Sequence, residues 1–194
     1  ESGMKVEDLI IEAQEKTPEG FVDIHSHLLP GIDDGAKDLK NSIELIKKMS
    51  SYGIKNFITT PHVLGDVYPN NSNTIKEKLI EVQNELKHQN ISDVSISAAA
   101  EYMMDEQFVK LLKKDDILAL KDNFILVEMS YFSAPFNLYE ILFEIQLKGY
   151  KPILAHPERY NFYHANFDIN LLNKDWFVGG YVGVDIFFVI SGYL

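Results

Sequence analysis

Five short apolar runs along this chain each finish in a histidine or a carboxylate. They read Phe21-Val-Asp-Ile-His25-Ser-His27, Phe57-Ile-Thr-Thr-Pro-His62, Val94-Ser-Ile-Ser-Ala-Ala-Ala-Glu101, Phe124-Ile-Leu-Val-Glu128 and Lys151-Pro-Ile-Leu-Ala-His156. Runs of this length, apolar and partly β-branched, predict buried strands. A buried imidazole or carboxylate is costly unless it is paired or coordinated. When every strand delivers such a group at the same end, the simplest arrangement is one shared site at the C-terminal mouth of a barrel. Imidazole and carboxylate without thiolate suit Zn, Mn or Fe. The pattern therefore reads as a multinuclear metallohydrolase.

The rest of the chain fits around those five ends. Residues 1–20 are polar and helix-prone, with Val6, Leu9, Ile10 and Ala13 as the apolar positions, and end in the turn signal Thr17-Pro18-Glu19-Gly20. A helix capped by Asp38 carries Leu39, Ile43, Ile46 and Met49 on one face and stops at Gly53. A second spaces Ile75, Leu79, Val82 and Leu86 helically, a shorter one covers about 105–114, and a fourth carries Leu138, Ile141, Leu142 and Ile145 and closes at Gly149. Strand and helix alternate five times, the pattern of a parallel α/β barrel or sheet. The expected organisation is an N-terminal extension over 1–20, one catalytic domain over 21–175 and a hydrophobic tail over 176–194. From Gly179 the tail is aromatic, β-branched and almost uncharged. It is shorter than the ~20 apolar residues of a membrane span, and reads either as the start of one or as a sixth barrel strand.

Composition removes several function classes. A chain of 194 residues, 46% hydrophobic, buries one core and hardly two. A net charge of −11 argues against nucleic acid as a partner. The chain has no cysteine, which excludes disulfides, zinc ribbons and a cysteine-nucleophile phosphatase. No signal peptide is legible at the front, so a cytoplasmic enzyme is the default.

Each strand end offers a specific chemistry. His25 and His27, two residues apart on an extended chain, present both imidazoles to one side. The following Pro30-Gly-Ile-Asp33-Asp34-Gly35 loop offers a hard oxygen ligand, Asp34, with Asp33 an equal candidate or a turn former. Pro61 stiffens the approach to His62. Glu101, after three alanines, and Glu128, after Ile-Leu-Val, each end an apolar strand and need a partner. His156 reads as a further ligand. Arg159 can grip a phosphate in a bidentate fork, or pair with Glu158 or Glu128. Asp23, His88, Glu106 and His164 lie away from the strand ends and are not expected to coordinate. These residues by themselves argue for a phosphoester hydrolase.

Together the stretches Asp23-Ile-His-Ser-His-Leu-Leu-Pro-Gly-Ile-Asp-Asp-Gly35, Thr59-Thr-Pro-His62, Ala100-Glu-Tyr102, Val127-Glu128 and Ala155-His-Pro-Glu-Arg-Tyr160 resemble the PHP (polymerase and histidinol phosphatase) superfamily. The closer likeness is to its manganese-dependent bacterial protein-tyrosine phosphatases of capsule and exopolysaccharide operons, over about residues 20–168. The resemblance implies a distorted (β/α)7 TIM-like barrel, here incomplete, with up to three divalent ions, Mn2+ first and Fe or Zn as alternatives. It carries over His25, His27, Asp34, His62, Glu101, Glu128 and His156 as metal ligands and Arg159 as a phosphate contact. It implies hydrolysis by a metal-activated hydroxide, with a phosphotyrosine protein, the tail of a bacterial tyrosine kinase, as substrate. Histidinol phosphate or another small phosphoester is the alternative substrate, and a catalytically incomplete metal-binding remnant the alternative reading. The family's later Asp-x-His pair and a further arginine have no counterpart here, Asp185 being followed two residues on by Phe187. That loss is expected to open at least one metal position. Residues 179–194 instead resemble the opening membrane segment of integral-membrane acyltransferases. The chain, which starts at Glu1, is accordingly expected to be a truncated or spliced fragment.

Overall fold

Five passes of chain lie side by side in the order in which they occur, all of them parallel. The structure, a computed structural model, describes residues 17, 18 and 20–164. The expected N-terminal helix, the end of the catalytic domain and the hydrophobic tail fall outside these residues. The strands are β1 (Val22–Asp23), β2 (Asn56–Thr59), β3 (His62–Val63), β4 (Ser95–Ala98), β5 (Glu101–Met103), β6 (Phe124–Glu128) and β7 (Lys151–Leu154). They form two sheets, β1-β2-β4 and β3-β5-β6-β7. The second pass contributes β2 and then β3, and the third contributes β4 and then β5.

The break between the sheets has a local cause. Pro61 has no N–H to donate to a ladder, so the second pass leaves one sheet and rejoins the next. The third pass follows it across the gap, with the Ala99 amide donating to the Thr59 carbonyl at 2.9 Å and the Glu101 amide to Pro61 at 3.0 Å. Two expected strands are thereby divided, and His62 and Glu101 open β3 and β5 rather than closing longer strands. β1 is likewise shorter than expected, and His25 and His27 lie in the non-strand chain beyond it.

The helices between strands match the expected periodicities. α1 (Leu39–Ser51) starts where the Asp38 carboxylate accepts from the Asn41 amide at 2.8 Å, buries Ile43, Ile46 and Met49, and ends before Gly53 at φ 94°. α2 (Ser72–His88) opens on a reciprocal cap between Asn71 and Thr74 and buries Ile75, Val82 and Leu86. α3 (Glu106–Lys114) is capped by Asp105, and α4 (Leu138–Leu147) buries Leu138, Ile141, Leu142 and Ile145. A short α5 (Asn161–His164) follows β7. The main core lies between these helices and the strands, with Phe57, Tyr102, Ile125 and Val127 meeting Ile46, Phe108 and Ile141. A second, smaller apolar cluster takes residues from every pass, among them Ile24, Ile58, Ala99, Leu126 and Ile153. β6 is buried on both faces, which explains its unbroken apolar sequence. Among the described residues, no helix is long and apolar enough to cross a membrane.

Candidate metal centre

Glu101 is the hub of the site. Its side chain is wholly buried, and Ala99 and Ala100 before it are small enough to be fully enclosed as well. Four imidazoles converge on its carboxylate. His25 Nε2, His27 Nε2 and His62 Nδ1 lie 3.2, 3.4 and 3.3 Å from Oε2, and His156 Nε2 lies 3.0 Å from Oε1. Glu128 is the second buried carboxylate, 2.8 Å from His62 Nδ1 and 3.5 Å from His156 Nε2. These contacts are short, yet both Glu101 oxygens, Glu128 Oε1 and His62 Nδ1 lack an aligned hydrogen bond within the protein. Buried polar atoms that crowd together without exchanging aligned hydrogen bonds suit lone pairs that share a small cation.

The two aspartates of the loop after β1 have separate places. The Asp33 side chain is enclosed: Oδ2 accepts from His27 Nδ1 at 2.7 Å and from the His62 amide at 3.0 Å, and Oδ1 from the Gly35 amide at 3.0 Å. A carboxylate bonded to one ring nitrogen fixes the tautomer and leaves the other nitrogen as the lone-pair donor, here His27 Nε2 facing Glu101. Asp34 is exposed and puts Oδ1 3.5 Å from His62 Nε2. Gly35 makes the loop possible, because a Cβ there would fall 2.2 Å from the His27 carbonyl oxygen and 2.3 Å from its Cβ.

Each histidine is held by groups of little distinction in the sequence. Thr59 Oγ1 accepts from the Leu28 amide at 3.0 Å and donates to the Ser26 carbonyl at 2.7 Å, which the Thr60 amide also reaches. Those bonds pin the His25–His27 segment to the end of β2. The Asn70 amide group donates to the carbonyls of both Ile32 and His62 at 2.8 Å, and the Tyr68 ring stacks on the His62 ring at 5.8 Å. His156 adopts a left-handed backbone, φ 31°, immediately before Pro157, a conformation that costs a residue other than glycine about 1–3 kcal/mol. Tyr160 braces that turn. Its buried hydroxyl donates to the Ala155 carbonyl and accepts from the Met129 amide, both at 3.1 Å, so the ends of β6 and β7 are tied together.

Charge settles unevenly over this cluster. Burial pulls the His27 imidazole down, but Asp33 and Glu101 outweigh it and raise it to about 10. The same opposition, with Glu101 and Glu128 as partners, raises His156 to about 9 and also lifts His62. Burial pushes Glu101 up, yet His156, His25 and His27 hold its carboxyl well below the usual range, and His27 lowers Asp33 against its own burial. Such a cluster holds either protons or cations, and the two compete.

The donors fit a group of divalent ions. Three trios, His25/His27/Glu101, His27/Asp34/His62 and His62/Glu101/Glu128, each keep their ligating atoms within 4.8 Å of one another. They share His27, His62 and Glu101, so ions held in them would be neighbours. His156 joins through Glu101 and Glu128. Arg159 stands at the rim, its Nη1 donating to Tyr131 Oη at 3.2 Å and its Nε 3.9 Å from Glu158. Asp23 lies behind His25, accepting from its backbone amide at 3.4 Å, while His88 pairs loosely with Glu85 and Glu106 opens α3. In the sequence Asp33 is an open candidate, and Thr59, Asn70, Tyr131 and Tyr160 carry no mark of a role. The available signal was that Thr59 and Tyr160 lie inside the ligand motifs themselves.

Comparison with known proteins places the chain in a family. Residues 21–190 match the family described as capsular polysaccharide synthesis, CpsB/CapC. The matched stretch runs into the hydrophobic tail, and nothing in the comparisons supports that tail's likeness to membrane acyltransferases. CapC of Staphylococcus aureus is 31% identical over 150 residues, covering 77% of this chain and 58% of its own. YwqE of Bacillus subtilis, a tyrosine-protein phosphatase, is 34% identical over 140 residues, covering 72% and 55%. One solved structure, from work on YwqE of Bacillus subtilis and CpsB of Streptococcus pneumoniae as metal-dependent tyrosine phosphatases, superposes with a TM-score of 0.69. It is 32% identical and covers 77% of this chain and 60% of its own. The chain thus spans 55–58% of the length of these curated relatives.

Proposed function

The chain belongs to the CpsB/CapC family of capsular polysaccharide synthesis, and on that premise we propose that it is a metal-dependent protein-tyrosine phosphatase. Its substrate in this reading is phosphotyrosine in a bacterial tyrosine kinase of capsule or exopolysaccharide synthesis, and its compartment the cytoplasm. The observation that carries the reading is Glu101, a buried carboxylate ringed by four imidazoles whose contacts are short but unaligned. The proposed ligands are His25, His27, Asp34, His62, Glu101, Glu128 and His156, with Mn2+ as the native ion and Fe or Zn as the alternatives. The fold in this reading is a distorted TIM-like barrel of the PHP type. Two observations support it: the strands follow one another without reversal, and the small apolar cluster draws on every pass.

When bound, divalent ions supply Lewis acidity and lower the pKa of water toward neutrality. The chain's own residues supply the rest. Asp33 keeps the His27 Nδ1 proton in place, so that Nε2 stays available as a donor of its lone pair. Glu101 and Glu128 offset the positive charge gathered in the cluster. Arg159 offers a planar fork to two phosphoryl oxygens and stabilises charge on them as the ester bond breaks. The chain has no cysteine, so no thiolate of its own carries the phosphoryl group.

The test is hydrolysis of a phosphotyrosine peptide by the purified chain, with and without Mn2+, beside His25→Ala. Turnover that needs the metal and disappears in the variant is the expected result. Turnover indifferent to both contradicts the proposal.

A further inference from the structure

The loop between β6 and α4, residues 129–137, leaves large aromatic side chains in water. Tyr131 is 49% exposed, and Phe132 and Phe136 are almost fully so. Exposed aromatic groups at the edge of a polar site mark a surface that meets a ligand. Tyr131 is the one among them tied to the site. Its ring centroid lies 5.7 Å from that of His156 and 6.3 Å from that of Tyr160, and its hydroxyl accepts from Arg159. Ser130 Oγ accepts from the Phe132 amide at 3.3 Å and shapes the turn that follows. The ring therefore stands between a buried imidazole and solvent, with its hydroxyl bonded to Arg159.

We infer that Tyr131 forms the wall against which the aromatic ring of an aryl phosphate ester stacks, and so selects aryl over alkyl monoesters. This rests on the phosphatase reading above. With the phosphoryl group drawn to the histidines and Arg159, the ester substituent projects outward past His156, where Tyr131 is the neighbouring surface. A ring there gains an aromatic contact that an alkyl chain forgoes. Stacking of this kind corresponds to about three- to tenfold in affinity.

The test uses the full chain loaded with Mn2+ and two non-hydrolysable probes, phenylphosphonate and methylphosphonate, titrated calorimetrically. The wild type is expected to bind the phenyl compound about three- to tenfold more tightly. Tyr131→Phe keeps the ring and should keep that ratio, even where losing the Arg159 tether weakens both probes. Tyr131→Leu should abolish the ratio while leaving methylphosphonate affinity within about twofold. If Tyr131→Leu retains the ratio, or the wild type shows none while still binding both probes, the wall is refuted and the phosphatase reading stands. If the Mn2+-loaded wild type binds neither phosphonate, the phosphatase reading fails and the wall with it.

Discussion

Gly35→Ala is a one-carbon change that tests how the centre is assembled. The added Cβ would lie 2.2 Å from the His27 carbonyl oxygen and 2.3 Å from the His27 Cβ, where ordinary contact begins near 3.4 Å. Neither neighbour is the far end of a flexible side chain, so backbone must move by about 1 Å, the kind of overpacking that costs about 1–3 kcal/mol. The displacement falls on the loop that supplies Asp33, whose bonds to His27 Nδ1 and the Gly35 amide are 2.7 and 3.0 Å long. Lengthening either by 1 Å breaks it. His27 then loses its fixed tautomer, and losing an orienting carboxylate typically lowers metal affinity about 10–100-fold. Mn2+ titration followed by the electron paramagnetic resonance of the free ion would read this directly. A variant that melts at the wild-type temperature and binds Mn2+ with unchanged affinity would refute the assigned role of this loop.

Three further outcomes follow from the same geometry. Asp33→Asn should weaken Mn2+ binding about 10–100-fold, whereas Asp34→Asn, altering an exposed group, should lower the number of ions bound with little loss of thermal stability. Tyr160→Phe leaves the Met129 amide and the Ala155 carbonyl without their partner and should lower stability by about 1–3 kcal/mol in urea unfolding. For the metal-free chain, the raised His27 and His156 values (about 10 and about 9) mean a contribution to stability that is complete below about pH 6.5 and lost as pH rises through 9 to 10. The lowered Glu101 and Asp33 values act oppositely, their contribution being present above about pH 4 and lost below it. Metal-free melting temperature should therefore fall from pH 7 to pH 10, while Mn2+ affinity should rise with pH as bound protons leave.

Much of this centre was legible in the sequence, because the ligating types sit at fixed places relative to apolar runs. His62, Glu101, Glu128 and His156 do come together, and the parallel order of their strands is what alternation of strand and helix predicts. The parts that were not legible depend on backbone detail. Pro61 splits a pass into two strands, so Glu101 opens β5 instead of closing a longer strand. His25 and His27 converge on Glu101 from non-strand chain, held by Thr59 rather than by sheet alternation. Asp33 and Asp34 are indistinguishable as letters, and only burial separates them: one is enclosed by three donors and the other open to solvent. The left-handed turn at His156 has no mark in the sequence, since the residue before a proline ordinarily takes extended geometry.

In this reading Glu101 gathers four histidines in order to hold divalent ions. Its most direct test is the Mn2+ content of the full chain after exhaustive equilibrium dialysis, measured beside Glu101→Gln, which keeps the shape of the side chain and removes its charge. Stoichiometric, tightly bound Mn2+ is expected in the wild type, and loss of at least one ion in a variant that remains folded. Equal metal content in the two proteins, or none in the wild type, would contradict it.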